Sequence, residues 1–270
     1  MTYVVSDLHG CFDKFKELLR KINFADNDVM YVLGDTVDHG EEPIELLCDL
    51  SMRYNVIPVL GECDMRAYRL LSALDKMLSD GESPEPELLS EMAMWLQDGG
   101  QKTIEGFKAL DADMREGVLE YLSDMSLYEE AEVKGKRYVL VHAGIAGFDE
   151  DTPLEDYMPE DFICEAMDPD KCYFSDATLI AGHTPTYEID GAENGKIYHG
   201  EYGIVIEALA EPSEGQGHRR RQDPRGSRRH HEPALRRLLP RQGRQGADDH
   251  FGRGRAERGR QALRQVRRRV

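Results

Sequence analysis

Apolar and amphipathic segments alternate through the first 64 residues of the chain. The apolar runs at 2–5, 30–33 and 56–60 are typical of buried strands, and residues 12–22 repeat their apolar positions at helical spacing. Pro43 lies near the start of a second helical segment that runs to about Met52, where a missing N–H is tolerated. The pattern predicts a β-α-β-α-β unit with a parallel sheet.

The middle of the chain changes to a helical and strongly acidic pattern. This pattern predicts a helical cap at about 65–127, inserted after the third strand. Later strand-like runs lie at 128–133, 137–141, 178–181, 197–198 and 202–206. The first two predict a hairpin and the last two a second antiparallel pair, whereas the acidic, proline-punctuated segment 149–170 predicts a surface loop.

Charge divides the chain into two unequal parts. Residues 1–218 carry 16 basic and 47 acidic residues, a net charge of −31, while residues 219–270 carry 18 arginines and 5 acidic residues, a net charge of +13. This division predicts one domain followed by an Arg-rich tail. We assign the domain to 1–207 and the tail to 208–270.

The composition of the tail is unusual. Residues 219–270 contain no Lys, Ile, Thr, Asn, Tyr, Met, Cys or Trp. One interpretation is a disordered basic arm that binds nucleic acid through its phosphates, and apart from this arm we expect no nucleic-acid binding. The interpretation we favour is translation from a shifted reading frame of a GC-rich gene, because a frame selected for folding rarely lacks all these residue types at once.

Cysteine usage and hydropathy indicate a cellular setting. The five cysteines are an odd number without a CxxC pair, which favours a reducing compartment. No run approaches the ~20 apolar residues of a membrane span, and the chain enters a strand too early for a signal peptide. We expect a cytoplasmic protein without membrane contact.

Five short segments carry side chains of the types that bind metals. They are SDLHG at 6–10, GDTVDHG at 34–40, GECD at 61–64, VHAG at 141–144 and AGHTP at 181–185. The first three each follow an apolar strand-like run, so their Asp, His and Glu side chains fall on loops at the carboxyl ends of strands. Open α/β sheets bind ligands at that edge.

These residue types suit phosphoester hydrolysis. Two divalent ions about 3.5–4 Å apart activate a water and neutralise the phosphoryl group, and such a centre needs a bridging carboxylate and several imidazoles. One segment alone is a weak signal, but five in this order predict a dinuclear site. The candidate ligands are Asp7, His9, Asp35, Glu62, His142 and His183.

The order of the segments is similar to that of metallophosphoesterases of the phosphoprotein phosphatase type, particularly bacterial serine/threonine phosphatases, over about residues 1–207. GGQKT at 99–103 also resembles those proteins. The resemblance implies an α/β (α+β) fold, a four-layer αββα sandwich with a helical cap insertion. It also implies two divalent metal ions, Mn²⁺ first, with Fe or Zn as alternatives. By the same resemblance Asp7 and His9 bind the first metal, Asp35 bridges, and His142 and His183 bind the second.

The resemblance breaks at positions that carry chemistry. Where the family usually has GNHE or GNHD, Glu62 replaces an Asn ligand and Cys63 replaces the His that protonates the leaving group. A thiol with a pKa of ~8.5 is a poor proton donor, which leaves Asp64 to act as the acid. His39 replaces an Arg that grips the substrate phosphate, and His offers fewer donors. We therefore expect Asp64 and Cys63 as catalytic residues and His39 at the substrate phosphate.

Three functions follow from these residues. The leading hypothesis is a metal-dependent phosphoprotein (Ser/Thr) phosphatase, in which a hydroxide bridging two metals attacks phosphorus. An alternative is hydrolysis of a dinucleoside polyphosphate, because symmetrical diadenosine tetraphosphatases share the motif order. A third is a metal-binding pseudophosphatase that acts as a binding module, favoured by the joint departures at Cys63 and His39. The expected substrate is a phosphoprotein or a small phosphoester.

Overall fold

The computed structural model describes residues 1–81, 84–193 and 195–207. The interpretations of the tail at 208–270 lie outside these residues. Within the described ranges, no helix is long and apolar enough to cross a membrane.

The first sheet is parallel, with the strand order β1-β2-β3. Its strands and connecting helices are β1 (Thr2–Ser6), α1 (Phe12–Lys21), β2 (Val29–Leu33), α2 (Pro43–Ser51) and β3 (Val56–Val59). Pro43 occupies the first turn of α2, where no intrahelical bond needs its nitrogen. The predicted β-α-β-α-β unit is confirmed.

Four helices follow β3: α3 (Glu62–Asp80), α4 (Pro86–Trp95), α5 (Gln101–Ala109) and α6 (Ala112–Ser123). Between α4 and α5 the chain kinks through Leu96–Gly100, where Gly99 adopts φ +94°. The apolar faces of these helices pack with α2 into one buried cluster that includes Trp95 and Phe107. The burial of these faces explains the helical periodicity of this acidic region.

The second sheet has the strand order β4-β5-β6-β8-β7. Its strands are β4 (Tyr128–Val133), β5 (Lys136–Val141), β6 (Ala177–Ala181), β7 (Tyr198–His199) and β8 (Gly203–Val205). β4 and β5 form the predicted hairpin, and β7 and β8 form the predicted antiparallel pair. The central strands β5, β6 and β8 run parallel, so they end at a common edge.

The two sheets pack face to face. Tyr31 and Leu33 of β2 share a buried cluster with Leu140 of β5 and Ile180 of β6. The outer face of the first sheet packs against α1 and α2 in a separate cluster. The α/β sandwich is therefore confirmed.

One element departs from the sequence expectation. The segment 149–170, predicted as a surface loop, contains a short helix, α7 (Pro159–Ile163). Phe162 and Ile163 of this helix are fully buried against the second sheet, and the Phe162 ring stacks on Tyr128. The sequence did not predict this helix because its two apolar residues are flanked by acidic residues and are too few to show a helical period.

Candidate metal centre

Backbone hydrogen bonds join the loop after β1 to the loop after β2. The amides of Asp7, His9 and Gly10 donate to the carbonyls of Gly34, Asp35 and Thr36, at 3.1, 2.9 and 2.8 Å. The two loops thus continue side by side beyond the ends of their strands. This pairing brings the side chains of Asp7 and His9 beside Asp35.

The backbone at the site is strained. Eight non-glycine residues in the described ranges have positive φ, and six of them lie in the motif loops: Asp7, His9, Asp35, Asp38, His39 and His183. Such conformations cost about 1–3 kcal/mol each and persist where the surrounding structure enforces them, typically at functional sites. The loop conformations therefore orient the side chains of the site at a cost in local stability.

Five of the six predicted metal ligands come together in two clusters. Asp7, His9 and Asp35 form one, and Asp35, His142 and His183 form the other, with one ligand atom of each residue within 4.8 Å of the others. Asp35 belongs to both clusters. It therefore lies where a carboxylate would bridge two ions.

The imidazoles are oriented by backbone carbonyls. Nδ1 of His9 lies 3.1 Å from the carbonyl oxygen of Val37, and Nδ1 of His142 lies 2.8 Å from that of Leu33. A ring that donates from Nδ1 keeps the lone pair of Nε2 for a metal. Nε2 of His142 lies 3.1 Å from Nδ1 of His183, so these two nitrogens converge on one point.

The electrostatics of the carboxylates suit bound cations. Burial raises the pKa of Asp7, and the charge of Asp35 adds to that rise. Burial also opposes the charge on Asp35, but His142, His9 and the Cys63 amide outweigh it and lower the pKa of that carboxyl. The Cys63 amide donates to Asp35 Oδ1 at 2.8 Å. The buried carboxylate of Asp35, the half-buried carboxylate of Asp7 and three imidazoles fit two divalent ions, which would relieve the repulsion between the acids.

Gly61 allows the close approach of two motif loops. A Cβ at this position would lie 2.2 Å from the amide nitrogen of Asp35 and 2.3 Å from its Oδ1. Only glycine fits there, which explains why GECD begins with that residue.

Asp64 is fully buried and fully hydrogen-bonded. Its Oδ1 accepts from the amide and the hydroxyl of Thr36, at 2.9 and 2.6 Å, and its Oδ2 accepts from the Gly61 amide at 3.1 Å. Burial, followed by the charge of Asp35, raises its pKa to about 6. The geometry gives Asp64 the task of tying the start of α3 to the loop after β2. Its use as an acid stays a prediction.

Cys63 and His39 lie beside the first cluster. Cys63 is 7% exposed, and burial raises its pKa far above the usual range, with Asp35 and Asp38 adding to the effect. His39 is partly exposed, and its ring makes an edge contact with His9 at a centroid distance of 4.9 Å. Partial burial, followed by the charge of His9, lowers the pKa of His39. Without a bound ion, therefore, neither side chain offers a charge to a phosphate at neutral pH.

A buried polar network around Asp38 was not predicted from the sequence. Oδ1 of Asp38 accepts from the Thr103 hydroxyl at 2.9 Å, and its Oδ2 accepts from Trp95 Nε1 and Arg66 Nη2, both at 2.8 Å. Arg66 also pairs with Asp98 at 2.9 Å. Helices α3 to α5 thus hold the loop that carries His39. The only sequence signals were the second Asp of GDTVDHG and the single tryptophan.

Gly99 of the GGQKT segment supports the same loop. Its carbonyl accepts from the His39 amide at 3.0 Å, and a Cβ on Gly99 would lie 2.3 Å from Nδ1 of His39. A larger residue at 99 would therefore displace the His39 ring.

Two further carboxyl groups lie near the centre. Glu62 begins α3 half-buried, and it joins none of the ligand clusters found among the described residues, so its role as a ligand stays a prediction. Glu207, not considered from the sequence, is buried at the end of the described chain. Burial, followed by the charges of Asp7 and Asp35, raises its pKa to about 9. The sequence signal for Glu207 was its position directly after β8, at the edge of the sheet where the parallel strands end.

The calcineurin-like phosphoesterase family matches residues 2–213 of the chain. A curated relative, the symmetrical bis(5'-nucleosyl)-tetraphosphatase of Vibrio parahaemolyticus, is 29% identical over 147 residues, which are 54% of this chain and 45% of the relative. The enzyme of the same name from Buchnera aphidicola is 36% identical over 75 residues, 27% of each chain. The chain thus aligns with less than half of the length of these two relatives.

Two solved structures are similar to this chain at low sequence identity. The crystal structure of a putative diadenosine tetraphosphatase has 17% identity and a TM-score of 0.46, with 76% of this chain and 82% of that one covered. A metallophosphoesterase from Sphaerobacter thermophilus has 17% identity and a TM-score of 0.45, with coverage of 79% and 78%.

The family match extends over most of the chain, and it includes every residue of the two ligand clusters. The paired clusters sharing Asp35 bring together residue types that could hold two divalent ions. The chain therefore belongs to the calcineurin-like phosphoesterase family.

Proposed function

We propose that this phosphoesterase cleaves phosphoanhydride bonds, with a dinucleoside tetraphosphate as the first substrate to test. The observation that carries the proposal is the buried thiol of Cys63, whose backbone amide contacts Asp35. The names of the curated relatives, symmetrical bis(5'-nucleosyl)-tetraphosphatases, support the same choice of substrate.

Phosphoesters and phosphoanhydrides differ in the group that leaves. Cleavage of a phosphoserine expels an alkoxide, a strong base that needs a proton in the transition state. Cleavage of an anhydride expels a phosphate, a weak base that leaves without one. Because burial raises the pKa of Cys63, this thiol is a poor proton donor. Both oxygens of Asp64 already accept hydrogen bonds from Thr36 and Gly61. The site therefore suits substrates that need no acid.

Each ligand residue has a defined task in this proposal. When bound, two divalent ions would lower the pKa of a water and neutralise phosphate oxygens. Asp7 and His9 would hold one ion, His142 and His183 the other, and Asp35 both. Strained backbone and carbonyl contacts hold these side chains in place before any ion arrives, which reduces reorganisation during the reaction.

Phosphoprotein hydrolysis is the second candidate, and the charge of the chain favours it. Residues 1–218 carry a net charge of −31, which attracts basic peptides and repels a polyphosphate. The resemblance of the motif order to bacterial serine/threonine phosphatases points the same way.

The test compares substrates on the purified full chain loaded with Mn²⁺. The value of kcat/KM is measured for diadenosine tetraphosphate, p-nitrophenyl phosphate and a basic phosphoserine peptide, with Asp35→Asn as the inactive control. We expect the tetraphosphate to be cleaved fastest and the peptide slowest. Faster cleavage of the peptide would establish the second candidate instead. Absence of turnover in a chain that holds two metals would favour the pseudophosphatase.

A double variant tests the leaving-group argument directly. Replacing Glu62→Asn together with Cys63→His supplies the Asn-His pair usual in the family. Since general acid catalysis contributes ~10²–10⁴-fold, the rate on the phosphoserine peptide should rise on that scale while the rate on the tetraphosphate changes little. An equal rise on both substrates would show that the variant acts through metal loading rather than through proton donation.

A further inference from the structure

We propose that His9, His39 and Cys63 form a zinc-selective site that shares His9 with the first metal position. One ligand atom of each residue lies within 4.8 Å of the other two, which is the same criterion that defines the two clusters around Asp35. The proposed site determines which metal ion the chain binds and at which residues. It does not depend on the proposed substrate, because binding rather than hydrolysis tests it.

The geometry is close to that of a zinc site. Zn²⁺ takes four ligands, with bonds of about 2.0–2.3 Å to nitrogen and sulfur, so neighbouring ligand atoms on one ion are about 3.3–3.6 Å apart. The ligand atoms would need to approach one another by at most about 1.5 Å. His39 can make this movement because its side chain is partly exposed, and the same exposure leaves room for water as the fourth ligand.

The loop geometry aims both imidazoles at this position. Nδ1 of His9 contacts the Val37 carbonyl at 3.1 Å, which leaves Nε2 free. The His39 amide donates to the Gly99 carbonyl at 3.0 Å, and both histidines have positive φ. Loops after two different strands thus place the rings in edge contact, 4.9 Å between centroids.

The surroundings of Cys63 favour a cation. The Cys63 amide donates to Asp35 Oδ1 at 2.8 Å, and Asp38, 2.8 Å from Arg66 Nη2, adds a second carboxylate beside this position. Arg66 is paired with Asp38 and Asp98, and its Nη2 lies 3.6 Å from Cys63 Sγ. When zinc binds, the S–H bond breaks, the proton leaves to solvent and a Zn–S bond forms. Arg66 then lies where it can donate a hydrogen bond to the thiolate.

His39 and Cys63, which both differ from the residues usual in the family, lie together in this cluster. His39 and Cys63 lie in loops after different strands, yet each replaces the usual residue with a ligand that zinc accepts. Sulfur selects zinc over manganese, whereas the Asp7, His9 and Asp35 cluster offers carboxylate oxygen and imidazole. Because Nε2 of His9 can bind one ion at a time, zinc at this site and an ion held by Asp7 exclude each other.

The test uses the full chain after removal of metals with a chelator. Cobalt replaces zinc as a spectroscopic probe, since a cobalt–thiolate bond gives a charge-transfer band in the near ultraviolet. We expect this band in the native chain, its loss in Cys63→Ser and its retention in Cys48→Ser. Cys48 is the matched control because it is a partly buried thiol in α2 that joins none of the clusters in the described chain. Zinc affinity, measured against a chromophoric chelator, should fall at least ~10-fold in Cys63→Ser while manganese affinity stays the same.

His39→Asn provides a second variant in case loss of the buried thiol disturbs folding. The His39 side chain is partly exposed, so this variant should keep the fold, weaken zinc binding and shift the cobalt spectrum. Absence of the cobalt band in a folded native chain would overturn the proposal. So would a band that persists in Cys63→Ser, or zinc binding that His39→Asn leaves unchanged.

Discussion

The two halves of the candidate metal centre differ in the exposure of particular side chains. In the half built on the second sheet, His142 is fully buried, and the Leu33 carbonyl fixes its ring. The His183 amide donates to Asp7 at 3.1 Å. In the half built on the first sheet, His39 is partly exposed and Glu62 half-buried. His39 and Glu62 both depart from the family pattern, and both belong to the half built on the first sheet.

This difference indicates at which positions of the site a side chain can be substituted without loss of the fold. A change at His142 would leave a buried carbonyl without its partner, which costs about 1–3 kcal/mol in addition to the lost ligand. A change at residue 39 alters a side chain that reaches solvent. Cys63 is buried, but its backbone amide supplies the contact to Asp35, and any residue except proline has that amide. The scaffold can thus persist when the side chains at these positions are changed.

The largest effect is expected from Asp35→Asn, because Asp35 belongs to both halves. An amide binds cations less well than a carboxylate and does not neutralise their charge, so both ions should be lost or weakened. Several kcal/mol of metal-dependent stabilisation would disappear, and turnover should fall by about 10³-fold or more. Metal content by elemental analysis, alongside turnover of p-nitrophenyl phosphate, checks this. A variant that still holds two ions per chain would contradict a bridging Asp35.

A paired comparison of His183→Ala and His9→Ala separates the halves. Each variant should retain one tightly bound ion, and turnover should fall by roughly 10²-fold or more in both, since both ions contribute. The halves differ in their response to zinc. His9→Ala should abolish the cobalt–thiolate band, whereas His183→Ala should leave it in place. Loss of that band in His183→Ala would show that the two halves do not bind independently.

The sequence predicted most of the scaffold that carries these ligands. The strands, hairpin and helices followed from apolar periodicity, because each of these elements buries one face or lies wholly in the core. The proximity of Asp7, His9, Asp35, His142 and His183 was predicted because their motifs stand at the ends of strands, and the topology brings strand ends together; their role as ligands stays a prediction. Local patterns were sufficient for both results.

Other features depend on contacts that no local pattern contains. Asp38 and Trp95 are 57 positions apart and meet through a hydrogen bond between helix and loop. Cys63 and His39 were assigned separately to proton transfer and phosphate binding, and only their proximity to His9 suggests a shared site. Helix α7 was missed because two buried residues are too few to show a period.

Trp95→Phe should have a moderate effect that is confined to the first half. The variant keeps most of the buried ring but leaves Asp38 Oδ2 with one donor fewer, which costs about 1–3 kcal/mol of unfolding free energy. Zinc affinity should also fall, because the His39 loop loses an anchor, while binding at His142 and His183 should stay the same. Denaturant unfolding and metal titration measure both quantities. Tyr54→Phe, which removes an exposed hydrogen bond to the Asp26 carbonyl, is the matched control and should change stability by less than ~0.5 kcal/mol.

The smallest effect is expected from Arg137→Ala on the second sheet. Arg137 lies between Glu130 and Asp176, at 2.8 and 2.9 Å, an arrangement like that of Arg66 between Asp38 and Asp98. The difference is burial: both acidic partners of Arg137 are exposed, so the pairs are screened by water and contribute ~0–1 kcal/mol.

Unfolding of Arg137→Ala is measured at low and high salt, with Arg137→Lys as the control that keeps the charge. The small loss of stability should shrink further at high salt, because screening already weakens the exposed pairs in the native chain. Metal binding in both halves should be unaffected, since Arg137 contacts no ligand loop. A loss above ~2 kcal/mol, or a change in metal affinity, would show that the surface of the second sheet supports the centre, so that the contrast between the two halves would no longer rest on burial.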